Sequence, residues 1–245
     1  MTLAVAIVTA AGAGTRLGAD IAKALLPIGG RTLVEWALYG LAQSGCVSRV
    51  CVTAPNEALE QFSEVLEKSK VFAGEVIVVP GGVTRQQSVY AGLTALKESG
   101  IVLVHDAARP FASPGLIRRV AQAVNDECPA VVPGLPVSDT IKEIGDGSPA
   151  PVLNTLPRAR LRAVQTPQGF LGSVLMEAHE RFIDEAADDA SAATDDAVLV
   201  EWMGLPTFVC EGDPSAFKIT TADDVQRAES FLSSSTAGYV SVMEG

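Results

Sequence analysis

The sequence predicts an α/β fold, a Rossmann-like, mostly parallel sheet with helices on both faces, and three features carry that expectation. Short apolar runs without polar interruption recur, among them Leu3 to Val8 and Ile101 to His105, as in strands buried on both faces. Segments with helical caps alternate with these runs, the order that builds βαβ units. The first run empties into a turn of small residues, Ala10 to Gly14, a junction where backbone N–H groups can approach an anion closely.

Taken in order, Leu3 to Val8 is the first strand. Thr32 caps a helix with Glu35 at the capping-box position, running to Ser44 and stopped by Gly45. Arg49 to Thr53 reads as a strand, Glu57 to Lys68 as a helix, and Glu75 to Val79 as a strand ended by Pro80-Gly81-Gly82. Gln86 to Lys97 is helical, Ile101 to His105 a strand, Pro114 to Asn125 a helix and Ala130 to Val132 a strand. Residues 138–163 break this rhythm: Ile141 to Ile144, a Gly-Asp-Gly-Ser turn, then Val152 to Thr155 predict a protruding β-hairpin arm. The arm reads as an oligomer contact or as a mobile flap. Thr166-Pro167-Gln168 then turns into a helix from Leu171 to Glu185. An acidic stretch, Asp184 to Asp196, leads into a short helix to Met203; Thr207 to Cys210 is the last strand and Thr221 to Leu232 the closing helix. Residues 1–232 form one domain on this reading, and the Ser/Thr/Gly-rich residues 233–245 a disordered tail.

Ligands on such sheets sit beyond the carboxyl ends of the strands. The loops at 9–23, 80–88 and 105–110 all follow strands and should converge on one crevice. The first of them carries two cations, Arg16 and Lys23, and no nucleophile. Charge stabilisation of phosphoryl or nucleotidyl transfer fits that pattern. Two familiar glycine motifs fail here. The spacing Gly12-x-Gly14-x-x-x-Gly18 is one residue too long for a dinucleotide fingerprint, and Lys23 is followed by Ala24 where a P-loop needs Ser or Thr.

A formal charge of −11 argues against a general nucleic-acid binder, so a small anion would need a local cluster of cations. Cys46, Cys51, Cys128 and Cys210 form no C-x-x-C pair and read as reduced thiols of a cytoplasmic protein. No apolar run reaches membrane-spanning length.

Four segments, AAGAGTRLGADIAK, GGVTRQQSV, VHDAARP and QTPQGF, with SDTIK between the last two, resemble the 2-C-methyl-D-erythritol 4-phosphate cytidylyltransferase family. The resemblance runs from about residue 4 to residue 232; ribitol-5-phosphate cytidylyltransferases share most of the pattern. It implies a homodimeric enzyme, joined through the arm, in which CTP reacts with a polyol phosphate in a magnesium-dependent step. Arg16 and Lys23 would stabilise the pentavalent α-phosphate. Ala10, Ala11, Gly12, Gly82 and Ser88 would read the cytosine edge, and Gly14 and Thr15 would line the phosphate path. Asp106 and Arg109 would lie at the ribose and the acceptor, and Thr140, Arg158, Thr166, Thr194 and Lys218 would serve the acceptor and its phosphate.

The chemistry of the residues agrees. Two phosphates must meet, and like unit charges about 4 Å apart repel by roughly 4 kcal/mol at an effective dielectric near 20. Arg16, Lys23, Arg158 and Lys218 with a divalent ion would offset that. An ionised acceptor phosphate needs no general base, and neither of the two histidines neighbours a Ser or Cys nucleophile. His105 reads as a structural histidine at a strand end. Asp106 could take a metal, a sugar hydroxyl or a helix N-cap, and Arg85 is a nucleotide neighbour or a solvated charge. The acids of 184–196 lack ligand spacing and read as solvated surface. Ala22 stands where the family commonly has Pro, and Ser138 where some members have Arg. Two rival readings stand beside it: ribitol 5-phosphate as the acceptor, which turnover of the two acceptors with CTP would separate, and a catalytically silent nucleotide-binding regulator, which pyrophosphate release would separate.

Overall fold

A computed structural model of the chain describes residues 3–12, 22–97, 100–187 and 192–235. Strand β1 (Ala4–Thr9) is followed, beyond the undescribed 13–21, by a 3-10 turn at Lys23–Leu25 and a small hairpin of β2 (Pro27–Ile28) and β3 (Arg31–Thr32). Helix α1 (Leu33–Ser44) has the expected capping box: Glu35 N–H donates to the Thr32 hydroxyl, Thr32 N–H donates to the Glu35 carboxylate at 2.7 Å, and Gly45 closes the helix at φ 65°. Then come β4 (Val47–Ala54), α2 (Leu59–Ser69), β5 (Glu75–Pro80), α3 (Arg85–Leu96) capped by Thr84, β6 (Ile101–Asp106), α4 (Pro114–Ala123) capped by Ser113 with Pro at its start, and β7 (Ala130–Pro136). The arm is β8 (Ile141–Ile144) with β9 (Val152–Leu156), a separate antiparallel pair carrying exposed Ile144, Val152 and Leu153.

The chain returns through β10 (Arg162–Val164) and β11 (Gln168–Leu171), two strands the sequence pattern did not suggest. Helix α5 (Gly172–Arg181) ends earlier than expected and gives way to a 3-10 turn at Asp184–Ala187. After α6 (Asp196–Trp202) and β12 (Thr207–Glu211), α7 (Ala222–Ser235) closes the described chain. The expected tail is therefore helical as far as Ser235, and its remainder, 236–245, lies outside the described residues.

The sheet runs β5, β4, β1, β6, all parallel, then β11, antiparallel to both β6 and β7. β10 continues along the same edge of β7, joined by Gln165 N–H donating to the Pro133 carbonyl, and β12 covers the other edge in parallel. Alternation along β1 divides the core. Ala4, Ala6 and Val8 pack with Leu38, Phe62, Leu116 and Ile117 of α1, α2 and α4, while Val5 and Ile7 pack with Val89, Leu93, Leu175 and Leu199 of α3, α5 and α6. A third cluster, Ile28, Trp36, Phe111, Phe217, Ile219 and Leu232, lies under α7. It joins the segment after the first loop to the segment after the last strand.

Candidate active site

Three strand ends and the loop beyond β12 meet at one cavity of about 570 Å³. Thr9, Ala10, Ala11 and Gly12 enter from β1, Gly82, Val83, Thr84, Arg85 and Ser88 from the turn after β5, Asp106 and Ala107 from β6, and Lys218 and Thr220 from the last loop; Lys23 completes the wall. The turn at 80–84 is fastened from within: Gly82 N–H donates to Ser88 Oγ at 3.0 Å and Val83 N–H to Gln87 Oε1 at 2.8 Å. A Cβ on Gly82 would sit 2.1 Å from that of Gln87, so glycine is required for this fold-back.

Asp106 is the centre of the charge pattern. Its Oδ2 accepts from Lys218 Nζ at 2.8 Å, and its Oδ1 accepts from Arg85 Nε at 3.2 Å and from the Thr9 hydroxyl at 3.2 Å. Burial alone would raise its pKa, but Arg85 and Lys218 reverse that and hold the carboxyl well below the usual carboxylate range. Arg85 also donates through Nη1 to Asp196 Oδ2 at 2.6 Å, and Asp196 Oδ1 lies 3.1 Å from His179 Nε2. Burial works against the Arg85 charge, yet Asp196 and Asp106 keep its pKa above the ordinary value. Lys218 is aimed by its neighbours: Phe217 and Ile219 are sunk in the aromatic cluster, and Ile219 N–H donates to the Ala108 carbonyl at 2.8 Å.

Of the residues singled out from the sequence, Ala10, Ala11, Gly12, Lys23, Gly82, Arg85, Ser88, Asp106 and Lys218 line this one cavity. Gly14, Thr15 and Arg16 lie outside the described residues. Thr166 is buried behind the wall, its hydroxyl accepting from Asp106 N–H at 3.0 Å and lying 3.0 Å from His105 Nδ1. Arg109 straps two segments together, donating to the carbonyls of Ala216 at 2.7 Å and Val164 at 3.2 Å. Thr140, Arg158 and Thr194 are exposed and away from the cavity lining, with Arg158 Nη1 donating to the Ser138 carbonyl. His105 is fully buried, and burial pushes its pKa down to about 4, which suits a structural histidine.

Two acids correct the expectation of a solvated acidic surface at 184–196. Asp195 caps α6 and accepts from Gln168 Nε2 at 2.8 Å, and Asp196 is 1% exposed against Arg85 and His179. A signal existed: Asp196 shares a helical face with the buried Leu199 and Val200. Asp106 also stands as a counter-ion, since both its oxygens face cations. Among the described residues no group of three His, Cys, Asp or Glu side chains could hold a metal ion.

A family model described as IspD, 2-C-methyl-D-erythritol 4-phosphate cytidylyltransferase, matches residues 4–234. The chain is 43% identical over 233 residues to a protein of that name from Streptomyces coelicolor, covering 93% of this chain and 84% of the relative. It is 46% identical over 228 residues to one from Nocardia farcinica, covering 93% of each. The solved structure of the enzyme of that name from Thermus thermophilus aligns with a TM-score of 0.74 at 38% identity, covering 94% of this chain and 98% of that one. A 4-diphosphocytidyl-2C-methyl-D-erythritol synthase from Anaerococcus prevotii aligns with a TM-score of 0.80 at 30% identity, covering 95% and 96%.

Proposed function

This chain belongs to the 2-C-methyl-D-erythritol 4-phosphate cytidylyltransferase family, and from that premise we propose how its own residues perform the transfer. The enzyme moves a cytidylyl group from CTP to 2-C-methyl-D-erythritol 4-phosphate, giving 4-diphosphocytidyl-2-C-methyl-D-erythritol and pyrophosphate. A phosphate oxygen of the acceptor forms a bond to the α-phosphorus as the bond to the bridging oxygen of the leaving pyrophosphate breaks. Negative charge gathers on the α-phosphoryl oxygens in between. Lys23 on the cavity wall, with Arg16 of the same loop, is assigned to that charge. Backbone groups of Ala10 to Gly12, with Gly82 and Ser88, take the base; Asp106 takes the ribose; Lys218 takes the acceptor phosphate. The observation that carries this reading is the meeting of Lys23, Arg85, Asp106 and Lys218, from four separate stretches of chain, around one cavity.

The described residues do not fit a magnesium ion held by protein carboxylates, because Asp106 is engaged by Arg85 and Lys218. On our reading the phosphates of the nucleotide would hold a magnesium ion, whose charge would offset that of the triphosphate. The homodimer is part of the same proposal. The arm projects Ile144, Val152 and Leu153 outward, and Arg158, exposed and off its own cavity wall, is assigned with Thr140 to the site of a second copy. Arg109 and Thr166 are assigned an indirect part, Thr166 by holding the Asp106 backbone and Arg109 by strapping the loop that carries Lys218. Exposed Thr194 is assigned to the acceptor phosphate. A cytoplasmic location accords with four free cysteines.

Pyrophosphate release from CTP and 2-C-methyl-D-erythritol 4-phosphate tests the assignment. Lys23→Ala should lower kcat by about 10²–10³ and leave CTP affinity by calorimetry little changed. An unchanged kcat with a raised CTP KM would confine Lys23 to ground-state binding.

A further inference from the structure

Behind the cavity, three helices on one face of the sheet converge on a single guanidinium. Arg85 begins α3, His179 lies in α5 and Asp196 begins α6. The His179 and Asp196 side chains are 0% and 1% exposed, so neither can touch a ligand in the cavity. His179 is fixed twice, by Nε2 3.1 Å from Asp196 Oδ1 and by stacking on Tyr90 at 6.3 Å and 15°. Asp196 in turn accepts from Arg85 Nη1 at 2.6 Å, a shorter contact than the 3.2 Å from Arg85 Nε to Asp106. Arg85 thus leans on the hidden carboxylate and only brushes the one that faces the cavity.

That division matters because a guanidinium offers a two-pronged fork that fits one carboxylate bidentately. Freed from Asp196, Arg85 would close on Asp106 with both prongs and compete with Thr9 and Lys218 for its oxygens. We propose that Asp196, seated on His179, is a positioning residue for Arg85, keeping Asp106 shared between Arg85 and Lys218 and turned to the nucleotide. The proposal rests on the cavity being the CTP site, as assigned above.

Calorimetric titration of CTP into Asp196→Asn, Arg85→Gln and the double variant tests it, with the fitted stoichiometry counting folded sites. Asp196→Asn should weaken CTP binding about tenfold. The double variant should bind no more weakly than Arg85→Gln alone, because Asp196 has nothing to position once the guanidinium is gone. A purely structural Asp196 would lower the melting temperature and the fraction of competent sites while leaving the affinity of those sites intact. That result, or additive losses in the double variant, overturns the inference. Wild-type affinity in Arg85→Gln would overturn the assignment of the cavity, and this inference with it. Should Asp196→Asn fail to fold, His179→Phe keeps the ring against Tyr90, removes the contact to Asp196 and carries the same expectation.

Discussion

Lys218 Nζ lies 2.8 Å from the Asp106 carboxylate across 112 residues of sequence. The lysine side chain is 44% exposed and the aspartate 10%, so the two ends of this bridge differ in kind. Removing the buried end takes the carboxylate from Lys218, which solvent still reaches, and leaves Arg85 with Asp196 alone. Asp106→Asn should cost about 1–3 kcal/mol of stability in chemical denaturation, because the part-buried Thr9 and Arg85 donors lose the charged acceptor they share. Lys218→Ala should cost about 1 kcal/mol or less and act chiefly on the acceptor KM. Equal losses of stability in the two variants would show that Asp106 is not held as a buried partner.

His105 sets an acid limit of its own. Its pKa falls from 6.5 to about 4 on folding because burial disfavours the charged ring. A depressed folded pKa means that the unfolded chain binds the proton more tightly. The stabilisation is complete above pH 6.5 and is lost as pH falls through about 4, up to about 3 kcal/mol in all. Stability against pH for wild type and His105→Gln should show a steeper fall in the wild type across that window. Parallel curves would mean that His105 gains its proton freely while folded.

Ala22 precedes the cationic turn with φ −54° and ψ 127°, angles a proline can hold. Ala22→Pro should therefore raise stability by about 0.4–1 kcal/mol through the unfolded chain and leave kcat intact. A lower melting temperature would show that the backbone there needs the freedom, or the N–H, that alanine keeps.

The proposed exchange of arms has a sharp test. Arg16→Ala and Arg158→Ala proteins, each inactive, are mixed after dissociation and allowed to reassociate. If Arg158 serves the partner, a mixed dimer holds one site with both lesions and one intact site. Random mixing then restores about a quarter of wild-type activity. No recovery, with subunit exchange confirmed by mass spectrometry, would return Arg158 to its own subunit.

What could be read in the sequence was what short stretches decide. Thr32 with Glu35 and then Gly45 announces both ends of α1, and the apolar runs announce the parallel strands, because caps and alternation are local. Lys23, Gly82, Ser88 and Asp106 were reachable because each lies at or beyond the carboxyl end of a strand. β11 was not. Gln168 to Leu171 is four residues long, with Gly169 inside it, where a Cβ would come within 2.8 Å of Val120 and Val124. Only its antiparallel pairing with β6 and β7, far off in sequence, makes it a strand. Asp196 was hidden for another reason: its acidic neighbours suggest solvent, and the Arg85 that draws it inward lies 111 residues away.

The placement of β11 also governs what a growing chain can become. The four parallel strands β5, β4, β1 and β6 all lie within residues 4–106 and can associate while the rest is still being synthesised. β6 then presents Val102, Leu103 and Val104 along an open edge until residues 168–171 emerge to close it. Ribosomes that stop before that point release a sheet with a bare apolar edge. Such truncations should be recovered as aggregates, not as a smaller nucleotide-binding protein.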